Sequence, residues 1–277
     1  MQSLPFLVSL GVAVAVVPAA VRGLRRQGLV RENYRGREVA FPAGLVIVAP
    51  ALVALIPLSL VDELGNHDVF RPGTGAVLTY VLAVALLGFV DDLIGSGAGD
   101  LPRGWRGHAG AVLGGRLSTG ALKAAGSLGV ALFVLRGQGL STGRYLLEVA
   151  LLVLATNLFN LLDLRPGRSA KALILLGAGL LIGSRDVNPL WTVGLFVGPI
   201  LVLLPFDLRE RAMLGDTGSN AIGAVAGLWL VLTLPTLGQA IALGVIALFT
   251  LYGEFRSISE LIERTPLLRQ LDSLGRA

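Results

Sequence analysis

Long apolar stretches, broken at intervals by short polar ones, dominate the chain from end to end. Mostly apolar runs of at least 16 residues recur near 4–21, 41–61, 75–92, 119–135, 145–163, 169–184, 188–206, 220–235 and 238–255. Each is close to the roughly 20 residues that carry a helix across a hydrocarbon core. The pattern predicts an all-α fold, a polytopic membrane protein of about nine transmembrane helices. The sixth and eighth runs are short, which leaves room for eight or ten. No soluble domain and no repeat interrupts the series, so residues 1–257 are expected to form one transmembrane helical domain. Residues 258–277 alternate apolar and charged positions and are expected to form an amphipathic tail lying on the membrane surface.

The polar breaks fix an orientation. Nothing basic precedes the first run, whereas Arg22, Arg25 and Arg26 follow it at once, the polarity of an uncleaved helix with its N-terminus outside rather than of a secretory signal. With that start, 19 of the 23 Lys and Arg residues fall in alternate loops on the inner side, and only Arg71, Arg136, Arg144 and Arg185 fall outside. The positive-inside rule therefore predicts an outer N-terminus and a cytoplasmic C-terminus, and the chain is expected to be a multi-pass protein of a bacterial inner membrane. Glu148, the one further ionisable group near a helix interior, is expected to snorkel to the outer surface.

Composition agrees and excludes several classes. Hydrophobic residues make up 54% of the 277 and charged residues 15%, too apolar a balance for one soluble core. With no cysteine, neither a disulfide framework nor a thiolate metal site exists. The net charge of +5 is not gathered into a basic stripe interleaved with aromatics, so no nucleic-acid partner is expected. The 37 glycines suit close helix packing in a bilayer.

The chemistry lies in the acids. Asp91 and Asp92 end the third run (GFVDDLIG), Asn157, Asn160 and Asp163 end the fifth (NLFNLLD), and Asp216 sits in a turn before the eighth (MLGDTGSN). All fall on the predicted cytoplasmic side at membrane level, where a carboxylate is costly unless paired. Adjacent carboxylates repel, and a divalent cation relieves the repulsion; oxygen ligands without His or Cys point to Mg²⁺ or Mn²⁺. The turn residues Gly215, Thr217, Gly218 and Ser219 lead into a helix whose exposed amides suit a phosphate. Arg103, Arg106, Arg116, Lys123, Arg165, Arg168 and Lys171 interleave with these acids. Metal, amides and bases together imply a phosphorylated substrate. Of the two histidines, His67 reads as an outer surface residue and His108 lies in the inner loop at 95–117.

At these motifs the chain resembles the polyprenyl-phosphate N-acetylhexosamine-1-phosphate transferases, the family that includes phospho-N-acetylmuramoyl-pentapeptide transferase and the undecaprenyl-phosphate GlcNAc-1-phosphate transferases. The resemblance rests on GFVDDLIG (88–95), NLFNLLDLRPG (157–167) and AMLGDTGSNAIG (212–223), in the family's order and spacing, with FPAG (41–44) similar to its P-T-x-G-G loop. It implies that Asp91, Asp92 and Asp216 hold Mg²⁺ and act on the lipid phosphate, Asp91 as proton acceptor. It implies further that Asn160 and Asp163, supported by Asn157, line a nucleoside-diphosphate pocket, and that Lys123 contacts phosphate. The reaction implied is transfer of a sugar-1-phosphate from a UDP-sugar to undecaprenyl phosphate in cell-wall or surface-glycan synthesis, with a homodimer as an expected assembly.

The chain departs from the family pattern at Pro166, which replaces the second Asp of the D-G-x-D-G run, at Leu164, which replaces its first Gly, and at Ala212, where the family has an aromatic. The family's C-terminal histidine cluster is absent. These departures leave open a non-catalytic relative that binds or regulates polyprenyl-phosphate carriers. An intramembrane prenyltransferase is disfavoured because Gly95 stands where a D-x-x-D pair needs its second acid. An aspartyl protease is disfavoured by Met213 in place of the first glycine of G-x-G-D. A transporter would gather its acids near the midplane rather than at one face.

Overall fold

The computed structural model describes residues 1–95 and 118–276. Eleven helices and one short hairpin make up the described chain. In order they are α1 (Leu4–Arg26), the strands β1 (Val30–Glu32) and β2 (Glu38–Ala40), α2 (Leu45–Gly65), α3 (Thr74–Ile94), α4 (Thr119–Leu135), α5 (Thr142–Leu162), α6 (Arg168–Ser184), α7 (Asn188–Leu208), α8 (Gly215–Thr233), α9 (Thr236–Phe255), α10 (Ile258–Arg264) and α11 (Pro266–Ser273). Six of them, α1, α2, α3, α5, α7 and α9, are long and apolar enough to cross a membrane, the composition of a multi-pass membrane protein.

Helix α8 is the axis of the fold, and every residue from Thr217 to Leu230 is buried. It packs most closely against α3, α5 and α6. Small residues permit the approach: a methyl group at Gly223 would meet Thr156 Cα at 2.7 Å, and one at Gly227 would meet Ala155 Cβ at 3.1 Å. Because protein surrounds this helix, it can carry Asn220, Ser219 and Thr217 without exposing them to lipid. A second pair, α1 on α7, uses the same device, with Gly194 against Phe6 and Gly198 against Ser9.

The hairpin was not legible as structure in residues 22–40, which read only as a basic loop. Its strands have three residues each and pair Val30 with Ala40 and Glu32 with Glu38. The turn closes because Asn33 Oδ1 accepts from the backbone N–H of Arg35 (2.9 Å) and Arg37 (3.1 Å), while Gly36 takes the left-handed conformation. Buried Glu210 anchors the turn through Arg35 Nη1 (2.9 Å), Arg37 Nη1 (3.3 Å) and Asn33 Nδ2 (3.0 Å). Strand β2 then runs beside the segment entering α8: Ala43 N donates to Met213 O and Gly44 N to Leu214 O, both at 2.9 Å.

One expectation needs correction. Glu148 does not reach the surface: it is 2% exposed, paired with Arg144 Nε at 2.8 Å and with Gln239 Nε2 at 3.3 Å. The tail consists of two short helices. It divides at Pro266 into α10 and α11 and is fastened to the start of α6. Arg168 grips Asp272 with two hydrogen bonds (2.9 and 3.0 Å) and Ser259 Oγ with a third (3.0 Å), and Arg276 Nε donates to Pro166 O at 3.0 Å. Lys171 Nζ closes the end of α11 by donating to Leu271 O (3.0 Å) and Leu274 O (3.2 Å).

Burial pushes the Asp272 carboxyl up, but Arg168 and then Arg276 outweigh it and hold the group below the ordinary carboxylate value. A depressed carboxylate contributes stability above its unfolded value, about 4, and loses it as pH falls through the folded one. Limited proteolysis should therefore leave the tail protected from neutral pH to about 4 and release it only below that. Asp272→Asn should release the tail at neutral pH.

Candidate functional site

Asp91, Asp92, Lys123, Asn160, Asp216, Thr217 and Ser219 converge at one end of the bundle, where the C-terminal ends of α3 and α5 meet the N-terminal ends of α4 and α8. The meeting point depends on how α8 begins. The sequence places Asp216 in a turn, but the helix starts at Gly215 and puts Asp216 in its first turn. The first amides of a helix lack internal partners and attract an anion. Here that anion is the Asp92 carboxylate. Its Oδ1 accepts from Asp216 N at 2.9 Å, and its Oδ2 accepts from Thr217 N at 2.9 Å and Thr217 Oγ1 at 2.6 Å. Gly215 makes room, since its backbone is left-handed and an added methyl would sit 2.7 Å from Asp92 Oδ2.

Asp91, one residue earlier on α3, points elsewhere. Its Oδ2 lies 3.3 Å from Lys123 Nζ, and the same ammonium pairs with Asp216 Oδ2. Asn160 completes this group. Ser219 Oγ donates to Gly215 O at 3.0 Å, so its oxygen is free to accept. The Asn160 amide that matches its neighbours has Nδ2 donating to Ser219 Oγ (2.8 Å) and Asp216 Oδ1 (3.2 Å), and Oδ1 accepting from Lys123 Nζ (3.1 Å). Three protons of one ammonium thus meet two carboxylates and one amide oxygen.

One cavity adjoins the group, and a second lies under the hairpin. The first, of about 200 Å³, lies between α4 and α5 and is lined by Lys123, Thr156, Asn157, Asn160 and Asn220 among others. The other, about 50 Å³, holds Asp163 with Arg165, Pro166, Asp207 and Glu210 beneath the hairpin's Tyr34. Asn157 and Asn160 therefore share a cavity that Asp163 does not reach. Burial, then the negative charges of Asp207, Asp216 and Asp92, push the Asp163 carboxyl well above the usual range. Asp207 is buried at the base of the same cavity, where its Oδ2 accepts from Gly167 N at 2.7 Å.

Sequence reasoning passed over several residues that build the site. Arg31 on β1 donates to the Asp92 carbonyl at 3.1 Å, with its guanidinium 3.7 Å over the Phe41 ring. Gly44 meets Gly218 so closely that a methyl on Gly44 would come within 2.1 Å of Gly218 N. Gly88 gives the same clearance to the Asp216 carbonyl, at 2.3 Å. The FPAG motif was the available signal for Phe41 and Gly44, whereas nothing local marks Arg31. His67 is exposed after α2, and His108, Arg103, Arg106 and Arg116 lie outside the described residues. Among the described residues, no three acidic or histidine side chains form a metal-binding group. No protein-family model matches the chain, and no curated protein matches it significantly.

The two adjacent acids should behave differently on substitution. Asp92→Asn replaces an acceptor with an NH₂ facing buried donors and should destabilise the protein by about 2–4 kcal/mol. Asp91→Asn, facing a lysine that keeps Asp216, should lower the melting temperature in detergent far less. Gly44→Ala should also lower it, because the Gly218 backbone has no side chain that can move aside.

Proposed function

We propose that this chain is a polytopic phosphoglycosyl transferase. It moves an N-acetylhexosamine-1-phosphate from a UDP-sugar to undecaprenyl or another polyprenyl phosphate at the cytoplasmic face of a bacterial inner membrane. The observation that carries the reading is the convergence of Asp91, Lys123, Asn160 and Asp216 from four helices on a single point. An acid pair, an ammonium and an amide at a helix terminus, at membrane depth, suit a diphosphate more than any apolar ligand. The ordered motif resemblance points the same way.

Nine crossings with the N-terminus outside also find support. The residues at 31, 92, 123, 160, 168, 207, 216 and 272 gather at one end of the bundle, the arrangement expected if every helix from α2 to α9 crosses, including the shorter α4, α6 and α8. The same arrangement puts 16 of the 20 described Lys and Arg residues on that side.

In the reaction, a non-bridging oxygen of the lipid phosphate forms a bond to the β-phosphorus. The bond from that phosphorus to the oxygen of the α-phosphate breaks, and UMP leaves with that oxygen. The donor set suits a Mg²⁺ or Mn²⁺ ion, which Asp91 and Asp216 would hold and which would neutralise diphosphate charge. Asp92 fixes the first turn of α8, and with it Asp216, in place. Lys123 and Asn160 offer donors to phosphoryl oxygens, and Asp91 is positioned to hold a proton released by the lipid phosphate.

A second reading, a non-catalytic binder of polyprenyl-phosphate carriers, is favoured by Pro166 in the small cavity and by the ammonium already bridging the acid pair. Purified protein in detergent with undecaprenyl phosphate and candidate UDP-N-acetylhexosamines separates the two. The transferase should release UMP only with Mg²⁺ or Mn²⁺, and Asp216→Asn should slow release at least about 100-fold. No release from any donor, with lipid phosphate still bound, would establish the second reading instead.

A further inference from the structure

Lys123 Nζ occupies the point where an ion bridging Asp91 and Asp216 would sit. We infer that Lys123 is a resident counter-ion: a divalent cation displaces it from the two carboxylates, and the ammonium then turns into the adjoining cavity between α4 and α5. The inference rests on the proposed two-carboxylate ion site.

The geometry leaves little alternative. Asp92 is committed elsewhere, because the first turn of α8 takes three of its four acceptor sites. The acid complement is therefore Asp91 and Asp216, two negative charges bridged by one positive one. A single ammonium leaves a net negative charge in a half-buried site, and a divalent ion removes it. Ion and ammonium cannot share the position, since two cations a few ångströms apart in a weakly screened site repel strongly. Of the groups present, Lys123 is the one able to move. Its ammonium ends a flexible four-carbon stem, whereas the carboxylates are borne on packed helix ends.

The cavity supplies a destination. It measures about 200 Å³, and Lys123 already lines it together with Asn157, Asn160 and Asn220. Asn220 is 1% exposed, and its Nδ2 has no hydrogen-bond partner among the described residues. A buried donor left without an acceptor is costly unless a ligand supplies one. The displaced ammonium and Asn220 Nδ2 would face the same space and receive one phosphoryl oxygen between them, whether from a lipid headgroup or from a soluble diphosphate. Before the ion arrives, Lys123 spares the protein two uncompensated carboxylates; afterwards it becomes a phosphate ligand.

The experiment uses full-length protein in detergent and has two readouts. Mn²⁺ binding, followed by electron paramagnetic resonance, is measured for wild type, Lys123→Met and Asp216→Asn. Lys123→Met should bind Mn²⁺ about tenfold more tightly, for lack of a competing charge, and Asp216→Asn should not bind it at this site. In wild-type protein, amine labelling read by mass spectrometry is compared with and without Mn²⁺. The chain has only two lysines, so Lys171 serves as the reference. Mn²⁺ should raise labelling of Lys123 several-fold and leave Lys171 unchanged. This second readout does not depend on a variant folding. Equal or weaker Mn²⁺ binding by Lys123→Met, or wild-type protein that binds Mn²⁺ with Lys123 labelling unmoved, would overturn the displacement while leaving the ion site standing. No Mn²⁺ bound by wild type or Lys123→Met would overturn the ion site and the displacement together.

Discussion

The carboxylate of Asp92 lies against the amino end of α8, accepting the amides of Asp216 and Thr217 and the Thr217 hydroxyl. That contact sets the register between α3 and α8, because the anion fits only where the unpaired amides of the first turn are. Everything else at this end of the bundle is referred to it. Asp216 is one residue into the helix and so is aimed at Lys123; Ser219, one turn later, meets Asn160; Gly88 must be bare because the two backbones are drawn together. Removing the carboxylate would leave the amides of the first turn of α8 without the anion that holds them.

The hydrophobic pattern made the helical layout readable, since runs of membrane-spanning length are a strong local signal. The shorter elements were not readable for the same reason. A strand of three residues is below the span over which alternation shows, and the hairpin owes its place to Glu210, more than 170 residues away from its turn. Helix α8 begins five residues before its apolar run at 220, because a polar segment became helical once α3 supplied an external cap. The tail read as an amphipathic segment, and its docking depends on an Arg168–Asp272 pair separated by 104 residues.

The candidate site was legible as a set of residues and not as a set of roles. Paired acids at the end of an apolar run are visible in any sequence, but neighbours on a helix are turned about 100° from each other. One of them had to face α8 and the other Lys123, and only the packing decides which. Asn220 was invisible for a different reason: it lies in an otherwise apolar run, where a single amide reads as tolerated rather than as placed. Asp163 keeps company with Asp207 and Glu210, acids more than 40 residues further along the chain that no local motif ties to it.

The separation of Asp92 from its partners also bears on how the protein is made. The amides that hold its carboxylate lie 124 residues further along the chain. At ordinary synthesis rates of roughly 5–20 residues per second, α3 waits on the order of ten seconds before α8 is available. Through that interval two adjacent acids must be kept at the membrane boundary with no protein partner for one of them. Their position at the last turn of α3, where headgroups and water are within reach, makes the wait tolerable; the same pair at mid-helix would oppose insertion. The location of the acid pair thus answers to the ribosome's timetable as well as to the finished fold.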